Sequence, residues 1–228
     1  MVNQFKDKYK GDTCLVVGNG PSLDDTPLEK ISSLYKTFGA NKIYASAAHP
    51  DFVPDFWTCI DEMMLTDCTP WLLSHPKFNP EIFVPRYIPL PGAHGLNPVV
   101  DVGFSHDLTH HVYMGGTVTY VNLQLARWMG FTTALLVGVD HRYPAASSDG
   151  KPGSKFIAGG EDPDHFKSVD GAYFERGKIY NRPELDAIEK YFFPLAQKTF
   201  RLAGGDVINL TPNTAEKVFE KGDFTQWD

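Results

Sequence analysis

The feature that most constrains this chain is a short apolar run that ends directly in a glycine-rich turn. Thr13-Cys-Leu-Val-Val-Gly18 is apolar without alternation, which suits a strand covered on both faces. It leads into Gly18-Asn19-Gly20-Pro21-Ser22. A strand covered on both sides needs helices above and below it, so the run predicts a parallel sheet inside an α/β layer structure. The elements that follow fit. Thr26, Pro27 and Glu29 read as N-cap, first helical position and capping box, with Leu28, Ile31 and Leu34 or Tyr35 as the apolar stripe. Residues 41–46 and 56–61 read as the second and third strands. From 70 to 111 the sequence is rich in Pro, Gly and aromatics, with short strands expected near 82–84 and 87–90. Gly115-Gly116-Thr117 opens a helix with Val118, Val121, Leu125 and Met129 on one face, stopped at Gly130.

Residues 133–140 form the next buried strand. Pro183 opens a helix carrying Leu185, Ile188, Phe192 and Ala196, with a kink expected at Pro194 and an end at Gly204-Gly205. Residues 206–210 return as a strand and 214–220 as a short terminal helix. The pattern predicts a Rossmann-like α/β fold: a mostly parallel twisted sheet, helices on both faces, and a long irregular insert after the Asp140 strand. The 228 residues suit one nucleotide-binding domain over 1–228, with 141–182 as an active-site loop or lid. A formal net charge of −7 argues against broad nucleic-acid binding. No apolar run approaches a membrane span, and the polar N-terminus lacks a signal-peptide core, so a cytoplasmic address is expected. Cys14, Cys59 and Cys68 are odd in number and widely spaced, which reads as free thiols.

Ligands in such sheets bind outside the carboxyl ends of the strands. Three segments leave strands with polar chemistry, namely residues 18–22, Asp61-Glu62 and Asp140-His141, and all should reach one edge. Gly18 and Gly20 permit close backbone approach, so successive N–H groups are expected to cradle phosphate, with Asn19 and Ser22 adding side-chain donors. Leu23 stands where a dinucleotide fingerprint has its third glycine, and no Gly-Lys-Ser/Thr occurs. The plain alternative is a tight turn that binds nothing. Gly115, Gly116 and Thr117 could place an anion at the start of their helix, or Thr117 could simply cap it. Asp61 and Asp140 could accept ribose hydroxyls, hold Mg²⁺ or cap helices. His141 borders the insert. His165 lies among acids in Glu161-Asp162-Pro163-Asp164-His165-Phe166, and an imidazole there suits acid/base work near neutral pH. His106, His110 and His111 lack a zinc-site pattern.

Gly18-Asn-Gly-Pro-Ser-Leu23, Met114-Gly-Gly-Thr-Val118, Met129-Gly-Phe131 and Gly138-Val-Asp-His-Arg-Tyr143 resemble, in this order, the archaeal 6-hydroxymethylpterin diphosphokinase-like (MptE-like) proteins. Asp162-Pro-Asp-His-Phe166 and the tail from Asn209-Leu-Thr-Pro212 to Phe219 also look like that family, so the resemblance runs from about 10 to 224. More distantly the frame is similar to bacterial sialyltransferases that use a cytidine-monophosphate sugar. That resemblance implies nucleotide contacts from Asn19, Gly20 and Ser22, a donor contact from Asn41, and a match of Gly138-Val139-Asp140 to the family's Gly-Ile-Asp. It makes His165 the catalytic base, with Asp140 beside it. Gly18, Pro21, Asp61, Gly115, Gly116, Thr117, Gly138 and His141 complete the expected nucleotide-binding set. Asp61 departs from the family, which has asparagine there. The implied activity is transfer of a sugar from a nucleotide donor to a small-molecule or surface-glycan acceptor, with no cofactor required. One alternative is diphosphate transfer from ATP, with Asp61 and Asp140 holding Mg²⁺. Another is a nucleotide-binding module without catalysis. The expected partners are a nucleotide or nucleotide-sugar and its acceptor, with oligomerisation left open.

Overall fold

The first strand, β1 (Thr13–Val17), points Cys14 and Val16 into one core and Leu15 and Val17 into another. This two-sided burial is what its unbroken apolar run requires. The computed structural model describes residues 1–143, 154–159, 162–169 and 173–224. After β1 come α1 (Leu28–Ser32), β2 (Lys36–Ala40), β3 (Phe56–Thr58), α2 (Glu62–Ser74), β4 (Glu81–Pro85) and β5 (His94–Leu96). Then follow β6 (Pro98–Val99), β7 (Val112–Tyr113), α3 (Val118–Trp128) and β8 (Thr133–Val137). The remainder runs β9 (Lys155–Ile157), β10 (Ile179–Asn181), α4 (Leu185–Ala187), α5 (Phe193–Leu202), β11 (Val207–Asn209) and β12 (Glu220–Lys221).

Eight of these strands form one sheet in the order β12-β11-β8-β1-β2-β3-β4-β5, with every pairing parallel. Helices α3 and α5 pack into one core, and α1 and α2 into the core on the other face. The fold is therefore Rossmann-like α/β, as the sequence pattern implies. From β1 the chain moves outward through β2 to β5, then returns by α3 to pair β8 on the other side of β1. The strand order thus reverses between β1 and β8, and a crevice opens at their carboxyl ends.

Several expected elements lie elsewhere. The second strand is 36–40, not 41–46: Asn41 turns out of it with φ +50, and Ile43–Ala45 form a 3-10 turn. Its polar opening, Lys36-Thr37, disguised the strand. Thr26 does not cap α1, because its Oγ1 donates to the Ser22 carbonyl at 2.9 Å, and Glu29 pairs instead with His49 Nδ1 at 2.7 Å. That helix lasts five residues, and Leu34 is exposed. The longer helix on this face is α2, whose periodicity is masked by Pro70 in its third turn. No strand forms at 87–90; residues 94–96, 98–99 and 112–113 are the strands of that region.

At Pro194 the expected kink is replaced by a π-helical segment, Ile188–Phe192, which leaves the proline in the first turn of α5, where its missing N–H is harmless. Residues 214–219 are not helical. The buried Glu216 carboxylate instead accepts from Asn209 Nδ2 at 3.2 Å, from the Phe219 N–H at 2.9 Å and from the Val218 N–H, and it pairs with Lys221. Of the expected 141–182 insert, the structure describes an antiparallel β9–β10 hairpin and the segment 162–169. Residues 141–143 and 173–178 are described as well, while 144–153, 160–161 and 170–172, Glu161 among them, lie outside the described residues. No helix among the described residues is long and apolar enough to cross a membrane.

Candidate active site

At the switch point the loops leaving β1 and β8 lie directly against each other. The Gly18 N–H donates to the Val137 carbonyl and the Gly20 N–H to the Gly138 carbonyl, both at 2.8 Å. A Cβ on Gly18 would stand 2.4 Å from the Gly138 oxygen, and one on Gly20 would stand 2.0 Å from Asp140 Oδ2. These glycines are therefore needed for contact between the loops. The Ser22 N–H donates to Asp140 Oδ1 at 3.3 Å, the Leu23 N–H to the Gly20 carbonyl at 3.1 Å, and Pro21 has none to give. The N–H groups of Gly18, Gly20 and Ser22 are thus taken by the protein itself, so the expected run of successive free N–H groups over 18–22 does not form. Ser22 also sends its Oγ to Asp140 Oδ2 at 2.7 Å. Burial pushes the Asp140 carboxyl above its ordinary value, and the Ser22 hydrogen bonds oppose that rise.

A cavity of about 540 Å³ fills the crevice. Its lining brings together Gly18, Asn19, Gly20, Asn41, Asp61, Gly115, Gly116, Thr117, Gly138, Asp140, His141 and His165. Pro21 and Ser22 fall outside that lining. Asn19 donates its Nδ2 to Tyr173 Oη at 2.9 Å and to the Ala40 carbonyl at 3.2 Å, while its Oδ1 is buried without a partner. Asn41 holds the left-handed turn after β2 with its N–H on the Thr58 carbonyl and its carbonyl on Trp57 Nε1, and its Oδ1 too is buried without a partner. Two residues that line the cavity thus each hold an amide oxygen without a partner. Asp61 serves as the N-cap of α2, its Oδ1 accepting from the Met63 and Met64 N–H groups at 2.9 and 3.0 Å.

The other glycine turn offers donors. Gly115 and Gly116 take φ +59 and +73 on the way into α3, which Thr117 caps through a long 3.4 Å contact to the Thr119 N–H. Among the described residues, the N–H groups of Gly116, Thr117 and Val118 meet no acceptor.

His165 is held rather than dangling. Its segment is pinned by the Phe166 N–H on the Asn19 carbonyl at 3.0 Å and by the Lys167 N–H on the Asp24 carboxylate at 3.1 Å. The ring lies 4.0 Å from Tyr173 at an interplanar angle of 5°, and its Nδ1 is 3.0 Å from Asp162 Oδ2. A carboxylate on Nδ1 fixes the tautomer and leaves Nε2 for chemistry. His141 differs: its ring is nearly buried, burial lowers its pKa, and nearby Glu189 opposes that shift. Tyr173, Phe156 and Arg182 also line the cavity, and the sequence reading missed all three. They come from the aperiodic stretch, where no spacing marks an inward-facing side chain. His106, His110 and His111 lie outside the lining. The three cysteines are free and buried. Among the described residues no group of three or more His, Cys, Asp or Glu side chains gathers as a metal site. Asp61 is turned to its helix and Asp140 to Ser22, so the two do not fit the role of paired magnesium ligands.

A family model described as 6-hydroxymethylpterin diphosphokinase MptE-like matches residues 1–146. The chain belongs to that family. The matched part of this MptE-like chain contains both glycine turns, Asn41 and Asp140, and it ends before His165 and Arg182. Among solved structures, the chain is similar to the MAf glycosyltransferase from Magnetospirillum magneticum AMB-1, with a TM-score of 0.52 and 15% identity. The likeness covers 97% of this chain but 37% of that one, so this chain spans well under half of its neighbour's length. At that identity the likeness is one of fold. No curated protein matches the chain.

Proposed function

We propose that this MptE-like protein is a nucleotide-dependent transferase, and specifically a glycosyltransferase that takes a sugar from a nucleotide-activated donor. The observation that carries the reading is the pairing of opposite chemistries in one cavity. The Asn19 and Asn41 amide oxygens are buried acceptors without partners, while the N–H groups at the start of α3 are donors without partners. Ribose hydroxyls and exocyclic amines complement the first, and phosphate complements the second. A nucleotide carries both. The family and the structural neighbour are each named for a group-transfer enzyme. In this reading His165, oriented by Asp162, takes the proton of the acceptor hydroxyl. The α3 N–H groups stabilise the departing phosphate.

The family's description also supports diphosphate transfer from ATP. That chemistry calls on Mg²⁺, and the geometry of Asp61 and Asp140 does not favour it. Calorimetric titration with cytidine, uridine, adenosine and guanosine nucleotides, with and without Mg²⁺, separates the readings. A pyrimidine nucleotide should bind without metal, and Asn41→Gly, which keeps the left-handed turn but removes the acceptor, should weaken it about tenfold. His165→Ala should leave binding intact and lower sugar transfer by about 10²–10⁴-fold. ATP binding only with Mg²⁺ would favour the diphosphokinase. Tight binding with no transfer would favour a non-catalytic module. Absence of binding by every nucleotide at millimolar concentration would remove all three.

A further inference from the structure

We propose that Arg182 is the anion-recognition residue of the cavity, its guanidinium taking a phosphate or carboxylate oxyanion of the bound substrate. Arg182 lines the cavity just beyond β10, and its Nε and Nη1 are buried without a hydrogen-bond partner. A guanidinium keeps its charge at any accessible pH and carries five donors in a rigid fork. Burying such donors dry is costly, and a ligand oxyanion would remove that cost. Other cations are matched: Lys42 stands 3.3 Å from Asp67, Arg201 stands 2.9 Å from Asp206, and Arg127, whose Nε is also buried without a partner, gives its Nη1 to the Phe131 carbonyl. Arg182 has no acid within ion-pair distance among the described residues.

The side chain is also held in place. The Arg182 N–H donates to the Ser154 carbonyl at 2.8 Å, and Pro183 behind it restricts its backbone to extended conformations. Its guanidinium lies 5.3 Å over the Phe156 ring on the facing strand. That cation–π contact supplies no oxygen acceptor, so the Nε and Nη1 donors still lack partners and can take an oxyanion. The hairpin itself is anchored on α2, since Tyr180 Oη donates to Asp67 Oδ2 at 2.7 Å and Lys178 pairs with the same carboxylate. Ser154 Oγ, at the start of β9, is likewise buried without a partner. A charged fork preset in this way selects substrates that bear an anion at this end of the cavity.

The inference deepens the nucleotide-transferase reading and rests on it for the ligand's identity, but its anion chemistry can be tested apart. The full chain and its Arg182→Met and Arg182→Gln variants are titrated calorimetrically with inorganic pyrophosphate, cytidine, cytidine monophosphate and CMP-sialic acid. Both variants should weaken pyrophosphate and cytidine monophosphate about tenfold or more and leave cytidine unchanged, which identifies a phosphate as the occupant. Weakening confined to CMP-sialic acid identifies the carboxylate and equally upholds the proposal. Variants that bind all four probes as the wild type does would overturn it, even with a lowered melting temperature, because a purely structural arginine changes stability and not affinity. Arg182-dependent pyrophosphate binding without any nucleotide binding would sink the transferase reading and leave the arginine standing. A wild type that binds none of the four overturns the arginine as well. Should both variants fail to fold, Arg182→Lys carries the test, with pyrophosphate several-fold weaker expected and wild-type affinity contrary.

Discussion

Gly18 and Gly20 on one loop, and Gly115 and Gly116 on another, line the same cavity and use their backbones in opposite ways. Gly20 has an ordinary φ of −70, and both N–H groups of the first pair are taken by the β8 loop. What that pair supplies is the absence of a side chain where two loops touch. The second pair has positive φ and leads into a helix whose first N–H groups meet no acceptor among the described residues. What it supplies is direction. A glycine pair after a strand therefore does not by itself mark a phosphate cradle, and the accounting of each N–H decides which kind it is.

The strongest way to break this contrast is Gly20→Ala. Its Cβ would meet Asp140 Oδ2 at 2.0 Å and the Gly138 backbone oxygen at 2.8 Å, and the backbone atom has nowhere to go. A loss of about 2–4 kcal/mol is expected, read as a fall in melting temperature of about 10 °C. Gly116→Ala should cost about 1–2 kcal/mol, chiefly for the positive φ, since its Cβ meets no backbone atom and only the buried Ile188 side chain, at 3.2 Å, has to shift slightly. Equal melting temperatures for the two variants would abolish the distinction.

Thr117→Asp sharpens it from the other side. Aspartate is at least as good an N-cap as threonine, so stability should hold or rise slightly. The same carboxylate competes for the donors assigned to phosphate, so nucleotide affinity should fall about tenfold, measured by calorimetry. A stable variant with unchanged affinity would move the phosphate away from α3.

How legible was this in the sequence? Strands β1 and β8 and helix α3 were plain, because burial on both faces and a 3.6-residue stripe leave unambiguous patterns. The convergence of residues 18–20, Asp61 and Asp140 on one edge followed from topology, since parallel strands present all their carboxyl ends together. Strand β2 was shifted because Lys36-Thr37-Phe38-Gly39-Ala40 has a single large apolar residue. The hydrogen-bond state of Gly20 was hidden, as Gly-Asn-Gly is written identically whether its donors are free or taken. Arg182 and Tyr173 were hidden for a related reason. Burial without a partner is a property of the surroundings, and no spacing in residues 141–182 records it.

The smallest expected effect concerns Asp140, which joins the two loops through Ser22. Its carboxyl is raised by burial from 3.8, with the Ser22 hydrogen bonds opposing. Between the ordinary value and the raised one, the folded protein holds a proton that the unfolded chain has released. Stability from this group is therefore complete below the ordinary carboxylate pKa and is lost as pH rises through the folded one. His141 works with the opposite sign: burial lowers its pKa from 6.5, so its share of stability is present above that value and fades as pH falls below it. Asp140→Asn keeps an oxygen for the Ser22 N–H and removes only the first of these titrations. Urea unfolding at a series of pH values should show the variant gaining on the wild type as pH climbs from about 4, with the difference levelling once Asp140 is ionised. Parallel curves would mean that the Ser22 bonds fully offset burial, making Asp140 an ordinary carboxylate that only ties the glycine loop to β8.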